Sequence, residues 1–93
     1  MDTKQIIEMH VRAIDGEKEE IRKRYLDEMK RLGTEATTAA EHAVGALPTL
    51  AWMETGMARL RELQASFEKA ECAREMLRRV SEAAEFEASR KVG

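Results

Sequence analysis

The chain has 93 residues but only one cysteine, one proline, one tryptophan, one tyrosine and two phenylalanines. Cys72 has no second thiol to pair with inside the chain, so the covalent staple that often supports a small domain is excluded. A lone thiol fits a reducing compartment, and the opening MDTKQIIEMHVRAIDGE lacks the apolar run of a secretion signal, so a cytoplasmic location is expected. No apolar stretch reaches the roughly 20 residues that cross a bilayer. Even the least charged segment, 36 to 53, is interrupted by Glu41, His42, Gly45 and Pro48, so no membrane partner is expected. Aromatic residues make up 4% of the chain, which starves strands of the side chains they favour. Ala, Glu, Arg, Leu and Met dominate instead, and an all-α fold is predicted.

Chemistry-bearing patterns are equally sparse. Gly16, Gly33, Gly45, Gly56 and Gly93 are scattered, and none belongs to a phosphate-cradling loop. The helical di-iron pattern needs Glu three residues before His, whereas Ile7 precedes His10 and Ala39 precedes His42. Cys72 lies among Glu68, Glu71 and Glu75, which disfavour a thiolate, and no histidine is near it in sequence. The eighteen acids alternate with Lys and Arg as solvated helix faces do, and nothing singles out an acid/base pair among them. No catalytic residue, metal site or cofactor is therefore expected, and the chain is read as a non-enzyme.

Sixteen basic residues against eighteen acidic ones give a net charge of −2, without the positive excess of a nucleic-acid binder. Arg22, Lys23 and Arg24 form the densest basic run, but Glu19, Glu20, Asp27 and Glu28 bracket it. Arg74, Arg78 and Arg79 are the weaker alternative. A nucleic-acid-associated subunit is accordingly the third reading of the chain, behind two that rest on protein contacts.

What the sequence does contain is helical periodicity. Ile7, Val11, Ile14, Ile21, Tyr25 and Leu32 recur by fours and threes, with Lys18 and Glu28 filling the two remaining seam positions. The stripe stays in phase across Gly16, which predicts one helix over about 3–32, stopped by Gly33 as its C-terminal cap. A short connecting helix over about 35–44, begun at Thr34 or at the Thr38 to Glu41 capping-box spacing, buries Ala36, Ala39, Ala40 and Ala43 and ends before Gly45 and Pro48. A third helix, about 49–90, starts from Thr49 and carries Met53, Met57, Leu60, Leu63, Phe67 and Ala70. Its stripe then shifts through Ala73 to Leu77, Val80 and Ala84, and residues 89–93 form an end expected to fray. Favourable i, i+4 pairs, among them Glu19 with Lys23, Glu20 with Arg24, Asp27 with Arg31, Glu75 with Arg79 and Glu87 with Lys91, mark the faces turned to water.

The resulting architecture is a single-domain antiparallel helical hairpin with a short connecting helix. Such an object has little interior, and its seams are expected to be covered by dimerisation into a helical bundle or coiled coil. The seam residues are Ile7, Val11, Ile14, Ile21, Tyr25, Leu32, Met53, Leu60, Leu63, Phe67, Leu77 and Val80. The bend is the anomaly, because a turn facing water is normally polar and 36 to 53 carries a single charge. Val44, Leu47, Leu50, Trp52 and Met57 are therefore the candidate interface, with Trp52 one residue off the seam and expected to be largely exposed in a lone hairpin. These features predict a homodimeric protein-interaction module, acting as adaptor, chaperone or inhibitor for another protein. The second reading is a structural subunit whose stripes are consumed by self-assembly.

Overall fold

The computed structural model of the protein describes residues 2–92, with side chains described as far as residue 90. Two helices, α1 (Thr3–Glu41) and α2 (Ala51–Val92), pack antiparallel as a hairpin, and the described residues contain no strand. The molecule measures 79 × 17 × 14 Å. Its Cα radius of gyration of 21.6 Å compares with about 12 Å for a compact chain of this length, so the hairpin is a rod with a single layer of contact.

α1 begins with a reciprocal cap. The Asp2 carboxylate accepts from the Gln5 backbone N–H at 2.8 Å, and the Gln5 side chain accepts from the Asp2 N–H at 3.1 Å. Two of the four orphan donors at the helix start are thereby satisfied. The helix then runs through both Gly16 and Gly33, contrary to the stop expected at Gly33. Arg31 explains much of this, because its guanidinium pairs with Glu28 on one side of the glycine and Glu35 on the other. Beyond Gly33, the hydroxyls of Thr34, Thr37 and Thr38 donate to carbonyls one turn back, at Lys30, Gly33 and Thr34, so these residues serve the helix rather than a new cap. Of the expected connecting helix over 35–44, residues 35–41 are the last part of α1 and 42–44 are not helical, and the two arms are nearly equal at 39 and 42 residues.

α1 ends at Glu41 and is capped by His42, whose N–H donates to the Thr38 carbonyl at 3.0 Å. Gly45 then takes a φ of 74°, the left-handed turn conformation open to glycine, and Pro48 precludes an early restart. α2 starts at Ala51, two residues after the expected Thr49, with a tightened first turn in which Met53 N–H donates to Leu50 O at 3.0 Å. It passes Gly56 unbroken and reaches Val92. The Lys91 side chain, and with it the expected Glu87–Lys91 pair, lies outside the described residues.

The seam of α1 continues the sequence pattern: Ile7, Ile21 and Leu32 are buried, while Val11, Ile14, Lys18, Tyr25 and Glu28 are half-buried, and the series extends through Glu35 and Ala39. On α2 the positions that follow the seam are Met53, Gly56, Leu60, Leu63, Phe67, Ala70, Arg74, Leu77 and Ser81, with Trp52, Met57, Ala73 and Glu75 half-buried beside them. This series holds one phase throughout, so the expected shift toward Val80 does not occur. Val80 is 53% exposed, and Ser81 occupies its place. The half-buried seam residues Lys18 and Arg74 form pairs that cross the hairpin. Lys18 lies 5.1 Å from the Phe67 ring centroid and 3.9 Å from Glu71, and Arg74 donates to Asp15 at 2.7 Å. Such contacts specify register more than they stabilise, since half-exposed ion pairs contribute about 0–1 kcal/mol.

The closest approach is at Gly56. A Cβ there would clash with Leu32 Cδ2 and stand 3.0 Å from its Cγ and 3.1 Å from its Cδ1, so Leu32 lies directly on the α2 backbone. Gly16 has open space at the same position, with nothing within 4 Å. Gly56→Ala should therefore destabilise by about 1–3 kcal/mol through overpacking, although alanine is the better helix former. Gly16→Ala should stabilise by up to about 1 kcal/mol. Opposite shifts of the thermal midpoint, followed by circular dichroism, check the pair.

Candidate docking surface

The bend places three large apolar side chains in water. Val44 is 90% exposed, Leu47 94% and Leu50 68%, all within the loop that Gly45 and Pro48 turn between the helix ends. The loop is short, and its residues have no third element against which to fold back. Trp52 and Met57 belong to the first two turns of α2 and are half-buried by the hairpin itself. Trp52 thus departs from the largely exposed position expected for it. Its indole N–H is fully shielded from solvent and has no acceptor within hydrogen-bond distance among the described residues. An unsatisfied buried donor costs about 1–3 kcal/mol. The structure therefore divides the candidate interface into an exposed loop cluster, Val44, Leu47 and Leu50, and a partly packed pair, Trp52 and Met57.

A second feature lies on the flank of the rod. Ile21, Tyr25, Leu26, Leu63 and Phe67 line an open groove of about 430 Å³ rimmed by Arg22, Gln64, Glu68 and Glu71. The seam residues were legible in the sequence as mutual partners. That two helices leave one side of them uncovered follows from the missing third layer, and heptad spacing carries no signal for it. Leu26 of this lining is itself exposed, and Ile6, Met9, Met29, Met76, Val80 and Phe86 are exposed elsewhere along the rod.

The basic residues are engaged by neighbouring acids. Arg22 reaches Glu19 at 3.5 Å and Arg24 reaches Glu20 at 3.4 Å. Arg74 pairs with Asp15, Arg78 lies between Glu75 and Glu82, and Arg79 reaches Glu75 at 3.5 Å. Of the expected i, i+4 pairs, Glu20–Arg24 and Glu75–Arg79 form, whereas Glu19 turns to Arg22 and Arg31 takes Glu28 and Glu35 instead of Asp27. Carboxylates thus pair with the arginines of both basic groups, while Lys23 makes no ion pair among the described residues.

Cys72 is exposed, and no three His, Cys, Asp or Glu side chains converge on a metal-sized site among the described residues. No helix among them is long and apolar enough to cross a membrane. Comparison with protein-family models, with curated proteins and with solved structures yields no match in any of the three.

Glu28 is the most covered of the carboxylates that bridge the two helices, with 12% of its side chain exposed. Its hydrogen bonds from Arg31 hold it below the usual carboxylate range against the opposing effect of burial, with further help from the charges of Arg31 and of Arg59 at 3.9 Å. Glu75 is lowered in the same way, chiefly by its hydrogen bond from Arg78. A carboxyl that releases its proton more readily when folded stabilises the fold above its ordinary unfolded value. That stabilisation disappears as pH falls through the depressed folded value. The thermal midpoint should therefore drop on acidification from about pH 5 to about pH 3. Glu28→Gln should show a smaller drop over the same interval, measured by thermal melts across the pH series.

Proposed function

We propose that the protein is a non-enzymatic helical interaction module that docks on another polypeptide through its apolar bend, serving as an adaptor, chaperone or inhibitor. The observation that carries this reading is the exposure of Val44 and Leu47 at the one place where the chain turns. A turn made of polar residues would close this hairpin as well, because neither side chain is packed against it. Their apolar character therefore serves something outside the hairpin. Burying each in a partner contributes about 1.5–3 kcal/mol, so two or three together supply the centre of a specific contact. Leu50 extends the cluster toward α2, where Trp52 and Met57 adjoin it in sequence and are already partly ordered.

A self-assembling structural subunit is the second reading, and the exposed apolar residues along the flank favour it. Nucleic-acid association ranks third, since the pairing of Arg22, Arg24, Arg74, Arg78 and Arg79 with acids leaves them few free contacts for phosphate. A reducing, cytoplasmic setting suits the exposed single thiol.

Leu47→Asp is the decisive variant. The side chain touches little of its own chain, so the thermal midpoint should stay within experimental error of the parent, while capture of a host protein by the immobilised chain should be lost. Pull-down from the native host followed by mass spectrometry, parent beside variant, measures this. Capture that survives Leu47→Asp together with Val44→Asp sinks the reading. For the third reading, the expected outcome is no retention of duplex or single-stranded DNA or RNA at about 50 mM salt, where phosphate contacts are strongest.

A further inference from the structure

We infer that the first partner of the bend is a second copy of this chain, docked antiparallel across a two-fold axis at Gly33. This rests on the reading of the bend as a docking element, and it makes the second copy the occupant that a host protein must displace.

α1 carries a second stripe, separate from the seam. Leu26, Met29, Gly33, Ala36 and Ala40 recur by threes and fours, share one helix face, and are all exposed. No charge interrupts them. The stripe is graded, with large side chains before Gly33 and small ones after it. Gly33 itself has nothing within 4 Å of where a side chain would begin, so the hairpin gives no reason for a glycine that weakens the helix there. An antiparallel copy crossing at Gly33 accounts for both features. Leu26 and Ala40 stand equally far on either side of the glycine, so each Leu26 meets the other copy's small Ala40, each Met29 meets the region of Ala36, and the two backbones approach at Gly33. Large against small on either side of the crossing is the self-complementarity that an isologous contact requires.

The same register settles the bend. α1 ends at Glu41, about 12 Å beyond Gly33 at 1.5 Å per residue, and the bend follows directly, while Ile21 to Leu26 lie about 10–18 Å before the glycine. A copy reversed about Gly33 therefore brings its bend to the level of Ile21, Arg22 and Tyr25, where the open apolar groove lies. Leu26 belongs to both stripe and groove, so the two surfaces are continuous. Each bend fills the groove of the other subunit, and one contact covers the exposed loop, the uncovered side of the seam and the graded stripe.

Area is consistent with this assignment. The chain exposes 7563 Å², against about 5,500 Å² for a compact monomer of its mass. A standard interface removes about 800 Å² from each partner, well within that excess.

Disulfide trapping in the full-length Cys72→Ala chain tests the register. In the proposed arrangement two copies of Leu26 are about 21 Å apart across the axis, as are two copies of Ala40, far beyond disulfide reach. Leu26→Cys alone and Ala40→Cys alone should therefore stay unlinked on mild oxidation, and an equimolar mixture should give a covalent heterodimer as the main product. Both sites are exposed, so folding is preserved, and circular dichroism verifies it. Sedimentation of the parent chain should give a dimer, and Gly33→Leu should convert it to a helical monomer. A monomeric parent, or a dimer that links through either single variant and not through the mixture, overturns the inference. A monomer that still captures a host protein through Leu47 overturns only the second-copy assignment, whereas one whose capture ignores Leu47 removes the docking reading as well.

Discussion

Leu32 lying on the bare backbone of Gly56 is the contact on which the hairpin depends, because it lets the two helices come close at the end where the chain reverses. A side chain on α2 at that point would hold the helices apart, and the separation would propagate along the rod. With only Ile7, Ile21, Leu32, Leu60 and Ala70 buried among the apolar side chains described, no other layer could absorb it. A globular domain distributes such strain over many neighbours, but a two-helix rod has one row of contacts. Close approach at the bend also sets the register, since in an antiparallel pair the position of the reversal determines which residues face each other farther along.

That register is reinforced by polar groups in the seam. Lys18 over Phe67, Arg74 with Asp15, and Glu28 with Arg59 all bridge the helices and all occupy or adjoin positions that a purely apolar seam would fill with leucine. Replacing them by apolar residues would add burial, yet it would also allow the helices to slide by a heptad at little cost. Sliding matters here because the apolar content is uneven, so a slip would change which side chains remain exposed at the bend. Polar seam positions act in coiled coils in this way, lowering stability while excluding other alignments.

The helices were legible because they follow spacing. Ile7 through Leu32 repeats by fours and threes, and Lys18 and Glu28 fell into the same phase, so the inner face of α1 could be identified without a structure. Two features resisted. Gly33 resembles a helix stop to any local rule, and only the Arg31 bridge between Glu28 and Glu35, together with the threonine hydroxyls that donate one turn back, shows how the helix passes it. On α2 an apolar filter selects Val80 and skips Arg74 and Ser81, so a real seam of uniform phase looked like a shifted one. Gly56 escaped for the same reason, since a glycine registers in sequence as a weak point and its value lies in what the neighbouring helix places there. The exposed loop residues Val44, Leu47 and Leu50 were legible as an apolar anomaly, and the groove was not, because it exists only between helices.

The bend and the groove are consequences of one shortage. A chain of this length arranged as two long arms spends its apolar residues along a line and lacks a third element to cover their outer edges, so exposed apolar surface persists on the flank whatever the sequence of the turn. A polar turn would have left a rod with a half-covered seam. An apolar turn adds a projecting cluster just past the end of α1, while the groove lies on the other side of Gly33. Projection and recess are then features of the same molecule, and the simplest way for both to lose contact with water is against each other in a symmetric pair. On this view the glycine at the crossing and the glycine under Leu32 have a common physical role. Each leaves a helix surface bare, at Gly56 where Leu32 lies on it and at Gly33 where the proposed second copy would cross.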